Sequence, residues 1–260
     1  MGIHQPRTDF FDTVKKLGLT TNLKLCLDAG HEASLPAAST KWLDLSGGGY
    51  DFFRGATASS STDDPTINGT AGARSQAEYL SFDGGDYCKY DTTNETWMLN
   101  CHKVGAKFTF LGWFLFSGFS ATQRMCGDSI SSNGVNTGTR WNMTTTAQQL
   151  FISSGGGQVL SFNANHGSPT GWQCLAVSID AAGNAGIMMQ NGVFTTGAAT
   201  YVSPSAGAAT ETFCVGSAGN GDGPLLAGGR CAGFLAWEGV ALTQGQLTAI
   251  FDATRGKFGV

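Results

Sequence analysis

The chain has 260 residues, 13% of them charged and 38 of them glycine, with a formal net charge of −4. That balance gives no reason to expect nucleic acid, whose binders need a basic stripe to displace counterions, and a hydrophobic content of 41% excludes disorder. Charge at roughly half its usual share and glycine at about double it suit an antiparallel β-protein with many tight turns.

No Pro-rich or charged linker divides the chain, so it reads as a short N-terminal helical extension, residues 1–20, before one β domain, residues 21–260. The N-terminal MGIHQPRTDFFDTVKKL lacks the apolar core of a signal peptide. The most apolar run, Phe108 to Phe119, falls short of the ~20 residues of a membrane helix. Synthesis in a cytosol, with no membrane partner, is the expectation.

Thr8 to Leu17 reads as a helix capped by Thr8 or Asp9. Phe10, Phe11, Val14 and Leu17 share one face, and Gly18 ends it. That face either packs on the chain's own domain or docks on a partner. Leu23 to Ala29 is the first strand, and Lys41-Trp42 opens a short one ending in Ser-Gly-Gly-Gly. Ala56 to Ser75 reads as a surface loop. Tyr79 to Phe82 and Asp86 to Tyr90 are strands around the turn Asp83-Gly-Gly, and Thr96 to Cys101 is a short helical turn. Phe108 to Phe116 is apolar on both faces and belongs in the middle of a covered sheet.

Arg124 to Ser131, Thr139 to Met143, Gln149 to Ser153 and Gln158 to Asn163 add strands between Gly-rich turns. Trp172 to Ile179 then starts a meander, with turn chemistry at Asp180 to Asn184 and an Asn191-Gly192 type I′ signal. Thr212 to Gly216 and Arg230 to Val240 are the last strands. Thr243 to Gln246 fits a capping box ahead of a helix with Leu247, Ile250 and Phe251 on one face.

None of Cys26, Cys88, Cys101, Cys126, Cys174, Cys214 and Cys231 forms a CxxC pair, which argues against zinc and thioredoxin chemistry. They are either small buried hydrophobes or disulfide partners formed after release from the cell.

LCLDAG, KWLDLSGGG, YLSFDGGDYCKY, FTFLGWFLF, WQCLAVSID with its QNGV turn, and GRCAGFLAWEGVALTQGQLTAIF occur in that order. Together they resemble the concanavalin A-like lectin/glucanase superfamily in its laminin-G-like and pentraxin-like branch, over roughly Leu23 to Phe251. The resemblance implies an all-β, two-sheet antiparallel jelly-roll sandwich with a short N-terminal helix and a C-terminal helix. The short prefix and the abundance of Gly, Ser and Thr further resemble the version found in tailed-phage virion proteins.

Glycoside hydrolases of that superfamily carry paired carboxylates on one strand, spaced to flank the sugar bond. Glu32, Glu78, Glu95, Glu211 and Glu238 are the only glutamates, and none has an acidic residue two positions on. No Gly-x-Ser-x-Gly or phosphate-cradling loop occurs, and His4, His31, His102 and His166 read as scattered, solvated loop residues. No catalytic residue is therefore expected. Domains of this kind also imply calcium in rim loops; the oxygen donors on offer are Asp83 with Asp86, Asp63 with Asp64, and Asn220 with Asp222, each pair well short of the usual 6–8 ligands. Of the six Trp, Trp113, Trp172 and Trp237 lie in core strands, and Trp97 and Trp141, near loops, are the better candidate stacking platforms for a sugar. Asn68, Asn94 and Asn142 match the glycosylation sequon by chance in a Thr-rich chain.

The first reading is a non-enzymatic phage virion structural or accessory protein, a head decoration or fibre component. Its partners would be other virion proteins or further copies of itself. The alternative is a lectin module recognising host or surface glycans, and a glycoside hydrolase stands third.

Overall fold

The computed structural model describes residues 9–37, 39–70, 75, 77–130, 136–155, 157–165 and 167–260. Expectations that rest on His4, Thr8, Ser131 and His166 lie outside them. In chain order the first half supplies α1 (Phe10–Lys16), β1 (Leu23–Asp28), β2 (Lys41–Trp42), β3 (Phe52–Arg54), β4 (Thr66–Ile67), β5 (Leu80–Ser81), β6 (Cys88–Tyr90), α2 (Thr96–Asn100) and β7 (Lys107–Leu115). The second half supplies β8 (Gln123–Gly127), β9 (Gly138–Met143), β10 (Ala147–Ser154), β11 (Gly157–Asn165), β12 (Trp172–Asp180), β13 (Ala185–Gln190), β14 (Val193–Gly197), β15 (Cys214–Val215), β16 (Arg230–Glu238) and α3 (Gln244–Thr254).

These strands form two antiparallel sheets facing each other, a jelly-roll sandwich. One runs β14-β13-β12-β7-β16-β5-β4, with β1 also paired to β16; the other runs β11-β10-β9-β8-β15-β6-β3-β2. β7 lies between β12 and β16, as its apolar faces require. Its alternation divides the labour: Phe108, Phe110 and Phe114 belong to the core between the sheets, while Leu111 and Trp113 belong to a second apolar layer outside. Between the sheets, the Phe110 ring lies 5.9 Å from Phe213 and 5.8 Å from Phe234. Gly112 leaves room for the Phe114 ring, whose edge lies 2.4 Å from where a Cβ would stand.

The meander forms as read. Asn191 at φ 48° and Gly192 at φ 81° both hold the left-handed conformation that a type I′ turn demands. The Asp83-Gly-Gly turn does something less local. β5 and β6 belong to opposite sheets, so the turn is a crossover rather than a hairpin. Asp86 Oδ2 accepts from the Asp83 amide at 2.8 Å and Asp83 Oδ1 from Gly85 at 2.8 Å. Within the expected surface loop Ala56 to Ser75, β4 pairs with β5.

The outer side of the first sheet is covered by the helices. α3 has its capping box, Thr243 and Gln246 each bonding the other's backbone, and it buries Leu247, Ile250 and Phe251. α1 is capped by Asp9 and joins the same layer. Phe10 and Val14 are buried and Phe11 packs beside them, leaving only Leu17 of the expected docking face substantially exposed. The face therefore packs on the chain's own domain. Two buried side chains of this size contribute roughly 3–6 kcal/mol of transfer free energy. Trp237 Nε1 also donates to the Leu19 carbonyl at 2.7 Å, and the Phe10 amide to Asp28 Oδ2 at 2.9 Å.

Candidate functional site

With one sheet covered by helices, the outer side of the other is the surface available for recognition. Residues directly opposite each other on neighbouring strands point to the same face. One such row crosses the whole sheet: Lys41, Phe53, Lys89, Cys214, Gly127, Arg140, Phe151 and Ser161. Its orientation is fixed at β3, where Phe52 is in the interior core and its neighbour Phe53 must face out. Cations flank both aromatic rings. Lys41 Nζ lies 5.3 Å from the Phe53 centroid, and the Arg140 guanidinium 5.0 Å from that of Phe151.

At the Phe53 end the face opens into a cavity of about 440 Å³, lined among others by Phe53, Lys89, Asp91, Asn94, Thr210 and Glu211. Its walls are held from behind. Asn94 Nδ2 donates to the Glu211 carbonyl and its Oδ1 accepts from the Phe213 amide, both at 2.7 Å, clamping the two loops that form the rim. Lys41 Nζ reaches Asp91 Oδ2 at 2.6 Å. Beneath the floor, Tyr90 donates to Glu95 at 2.8 Å, and burial with that neighbour pushes its phenol well up, so it stays protonated. The result is a half-exposed ring with ammonium, carboxylate, amide and hydroxyl groups in fixed positions around it. Such an arrangement can stack on an apolar ring face while exchanging hydrogen bonds with its edge.

The residues singled out from sequence are placed elsewhere. Trp141 is fully buried, in contact with Phe110 and Phe114, and Trp97 is 4% exposed between Tyr50 and Phe213. Neither offers a ring face to a sugar. The alternation Thr139-Arg140-Trp141-Asn142-Met143 marks Trp141 as inward, a signal the loop-like flanks obscured. Adjacent residues of a strand face opposite sides, so with Phe52 in the core Phe53 is turned to the outer face of a sheet that no helix covers.

Most of the expected calcium donors are committed to the protein itself, although Asp64 Oδ2 has no hydrogen-bond partner. Asp83 and Asp86 accept backbone amides in the crossover turn, and burial raises Asp86 to about 6. Asp63 accepts from the Ala56 amide and from Ser61. Asp64 lies against Gly55, whose missing Cβ would meet its Oδ1. Asn220 bonds Glu211, and Asp222 pairs with Arg124. Among the described residues, no group of three or more His, Cys, Asp or Glu side chains is placed to hold a metal.

All seven cysteines are free and buried, which realises the small-hydrophobe alternative; burial raises each thiol pKa, Cys214 to about 11. His102 is buried rather than solvated. Its Nε2 lies 2.9 Å from the Gly207 carbonyl, and burial lowers its pKa. Among the sequons, Asn94 is occupied by its clamp and Asn142 is buried.

No family model matches the chain, and no curated protein matches its sequence. Solved structures do. Domain 4 of AbnA, a GH43 extracellular arabinanase from Geobacillus stearothermophilus in complex with arabinotriose, superposes at a TM-score of 0.56 and 15% identity, over 88% of this chain and 98% of that one. Botulinum neurotoxin type C, which depends on interaction with two ganglioside molecules to get into cells, gives 0.57 and 12%, over 92% and 53%. Trypanosoma rangeli sialidase in complex with sialic acid gives 0.58 and 11%, over 91% and 34%. This chain thus spans about half of the toxin chain and a third of the sialidase chain. What it shares with them is the fold, an antiparallel β-sandwich.

Proposed function

We propose that the chain is a carbohydrate-binding, lectin-like module that takes its glycan at the Phe53 cavity. The observation that carries this reading is the outward Phe53 ring beside Lys89, inside a rim of fixed polar groups. Two of its structural neighbours add support, one solved with arabinotriose and the other dependent on gangliosides. The role is binding rather than turnover, since no glutamate in the chain belongs to a paired-carboxylate motif. A glycan-array screen with the fluorescently labelled protein tests the proposal. Hits that vanish in Phe53→Ala support it, whereas the same hits in both proteins place binding elsewhere.

A second reading puts this module on a phage particle as a virion accessory protein. Seven unpaired thiols favour it, because they fit folding and assembly in a reducing cytosol. Sedimentation of the source lysate tests it: the chain travels either with DNA-filled particles or as a free, light species.

A further inference from the structure

Further along the same outer face, the side chains of Arg124, Arg140 and Asn142 stand together with Asp222. Arg124 lies directly opposite Asn142 across the β8–β9 ladder, and Arg140 shares the face two residues away on β9. Solvent is close: Phe151, opposite Arg140, and Gln149, opposite Asn142, are half-exposed, and Ser161 and Asn163 beyond them are exposed. Arg140 itself is 1% exposed, yet its Nε, Nη1 and Nη2 have no hydrogen-bond partner. Arg124 Nε and Asn142 Oδ1 have none either, and Asp222 Oδ2 meets Arg124 as an ion pair without a hydrogen bond. Native proteins pair nearly all such buried groups, and a guanidinium presents its donors in a fork that fits a carboxylate.

Charge makes the same point. Two guanidinium groups share one carboxylate, Asp222, which makes an ion pair with Arg124 without aligning as a hydrogen bond and acts on Arg140 only through space. Burial, with Arg124 beside it, pulls the Arg140 pKa down to about 10 against the pull of Asp222, so the buried cation is only partly compensated and still charged at neutral pH. The route in is the Asp222 side chain, 39% exposed, on a turn with left-handed backbone at Asn220, Gly221 and Gly223. Gly223 has φ 58°, and a Cβ there would displace the Arg124 guanidinium.

We propose that Arg124 and Arg140 form an anion subsite that accepts the carboxylate of an acidic sugar, with Asp222 as the resident group it displaces. This rests on the glycan-binding reading and narrows it: the glycan carries a carboxylate-bearing residue. Lys89 and Arg140 stand in one cross-strand row, three strand spacings or about 14 Å apart. Cavity and subsite thus lie on one face.

The test is a titration of the full chain with sodium glucuronate, with the neutral methyl ester of glucuronic acid, and with sodium sulfate at matched ionic strength. It is read from the arginine side-chain Nε–H resonances. Glucuronate is expected to shift Arg140 and Arg124, the ester to leave both unmoved, and Asp222→Asn to bind glucuronate about fivefold more tightly because the competitor is gone. Arg140→Gln is expected to abolish the response of Arg124. Should that variant fail to fold, Arg140→Lys, which keeps the charge but loses the fork, is expected to weaken binding about tenfold. Equal shifts by acid and ester, no shift with either, or weaker binding in Asp222→Asn each overturn the subsite. Sulfate acting as strongly as glucuronate overturns its assignment to a sugar carboxylate. A failure of the cavity reading looks different: neutral oligosaccharides then bind nowhere, while glucuronate still moves Arg140.

Discussion

Trp237, on the central strand β16, donates its indole N–H to the carbonyl of Leu19, in the segment between α1 and β1, at 2.7 Å. The bond joins the N-terminal segment to the middle of the helix-covered sheet. Phe10 seals the same layer by lying over Gly233, where a Cβ would stand 2.3 Å from its ring. The prefix is thus part of what keeps that sheet's outer face dry. Removing residues 1–20 is expected to destroy the cooperative unfolding transition, and Phe10→Ala alone to lower stability by about 3–5 kcal/mol, read by chemical denaturation. A truncated chain melting as sharply as the full one would return the helix to the role of a free docking arm.

Trp237→Phe removes the donor and, with it, part of the buried ring volume. The Leu19 carbonyl is then left without its partner, and a loss of about 1–3 kcal/mol is expected in the same assay. An unchanged midpoint would mean that the bond adds nothing net.

Much of this was legible from residues acting locally. The meander is encoded by Asn184, Asn191 and Gly192, which all hold a positive φ, the two Asn because their short polar side chains tolerate it and Gly192 because it has no Cβ. The α3 capping box needs only Thr243 and Gln246. What was hidden depends on partners far away in sequence. β3 is three residues long and exists because β2 and β6 pair with it, so no periodicity announces it. Asp83-Gly-Gly has the chemistry of a hairpin turn, yet which sheet each flanking strand joins is decided by β16 and β15. Arg140 and Asn142 look like surface residues by type, and only the assembled sheet shows that they are buried with unmet hydrogen bonds.

Asp128 is fully buried, and burial lifts its carboxyl from 3.8 to about 7 against the pull of the Thr139 amide. The folded chain therefore holds this proton more tightly than the unfolded one. The sign follows: the contribution is fully present below about pH 4 and is lost as pH rises through about 7. Asp86, raised to about 6, acts in the same direction. Asp128→Asn is expected to flatten the fall in stability between pH 4 and 7 by up to roughly 4 kcal/mol. A wild-type stability that climbs across that window would contradict the assignment.

The thiols give a separate check on the core. All seven are buried with raised pKa values, so a disulfide-exchange reagent at pH 8 is expected to label none of them in the native protein and all of them in denaturant. Rapid labelling of one native thiol would show local opening of the strand that carries it.

The most direct test of glycan recognition is a backbone amide shift map, recorded while the best oligosaccharide from the array is added to the full chain. Recognition at the cavity predicts shifts clustered at Phe53, Lys89, Asp91, Asn94 and Thr210, with affinity reduced about tenfold in Phe53→Ala, the loss of roughly 1.4 kcal/mol of ring contact. Shifts confined to the helix-covered sheet, or an unaltered affinity in that variant, would contradict it.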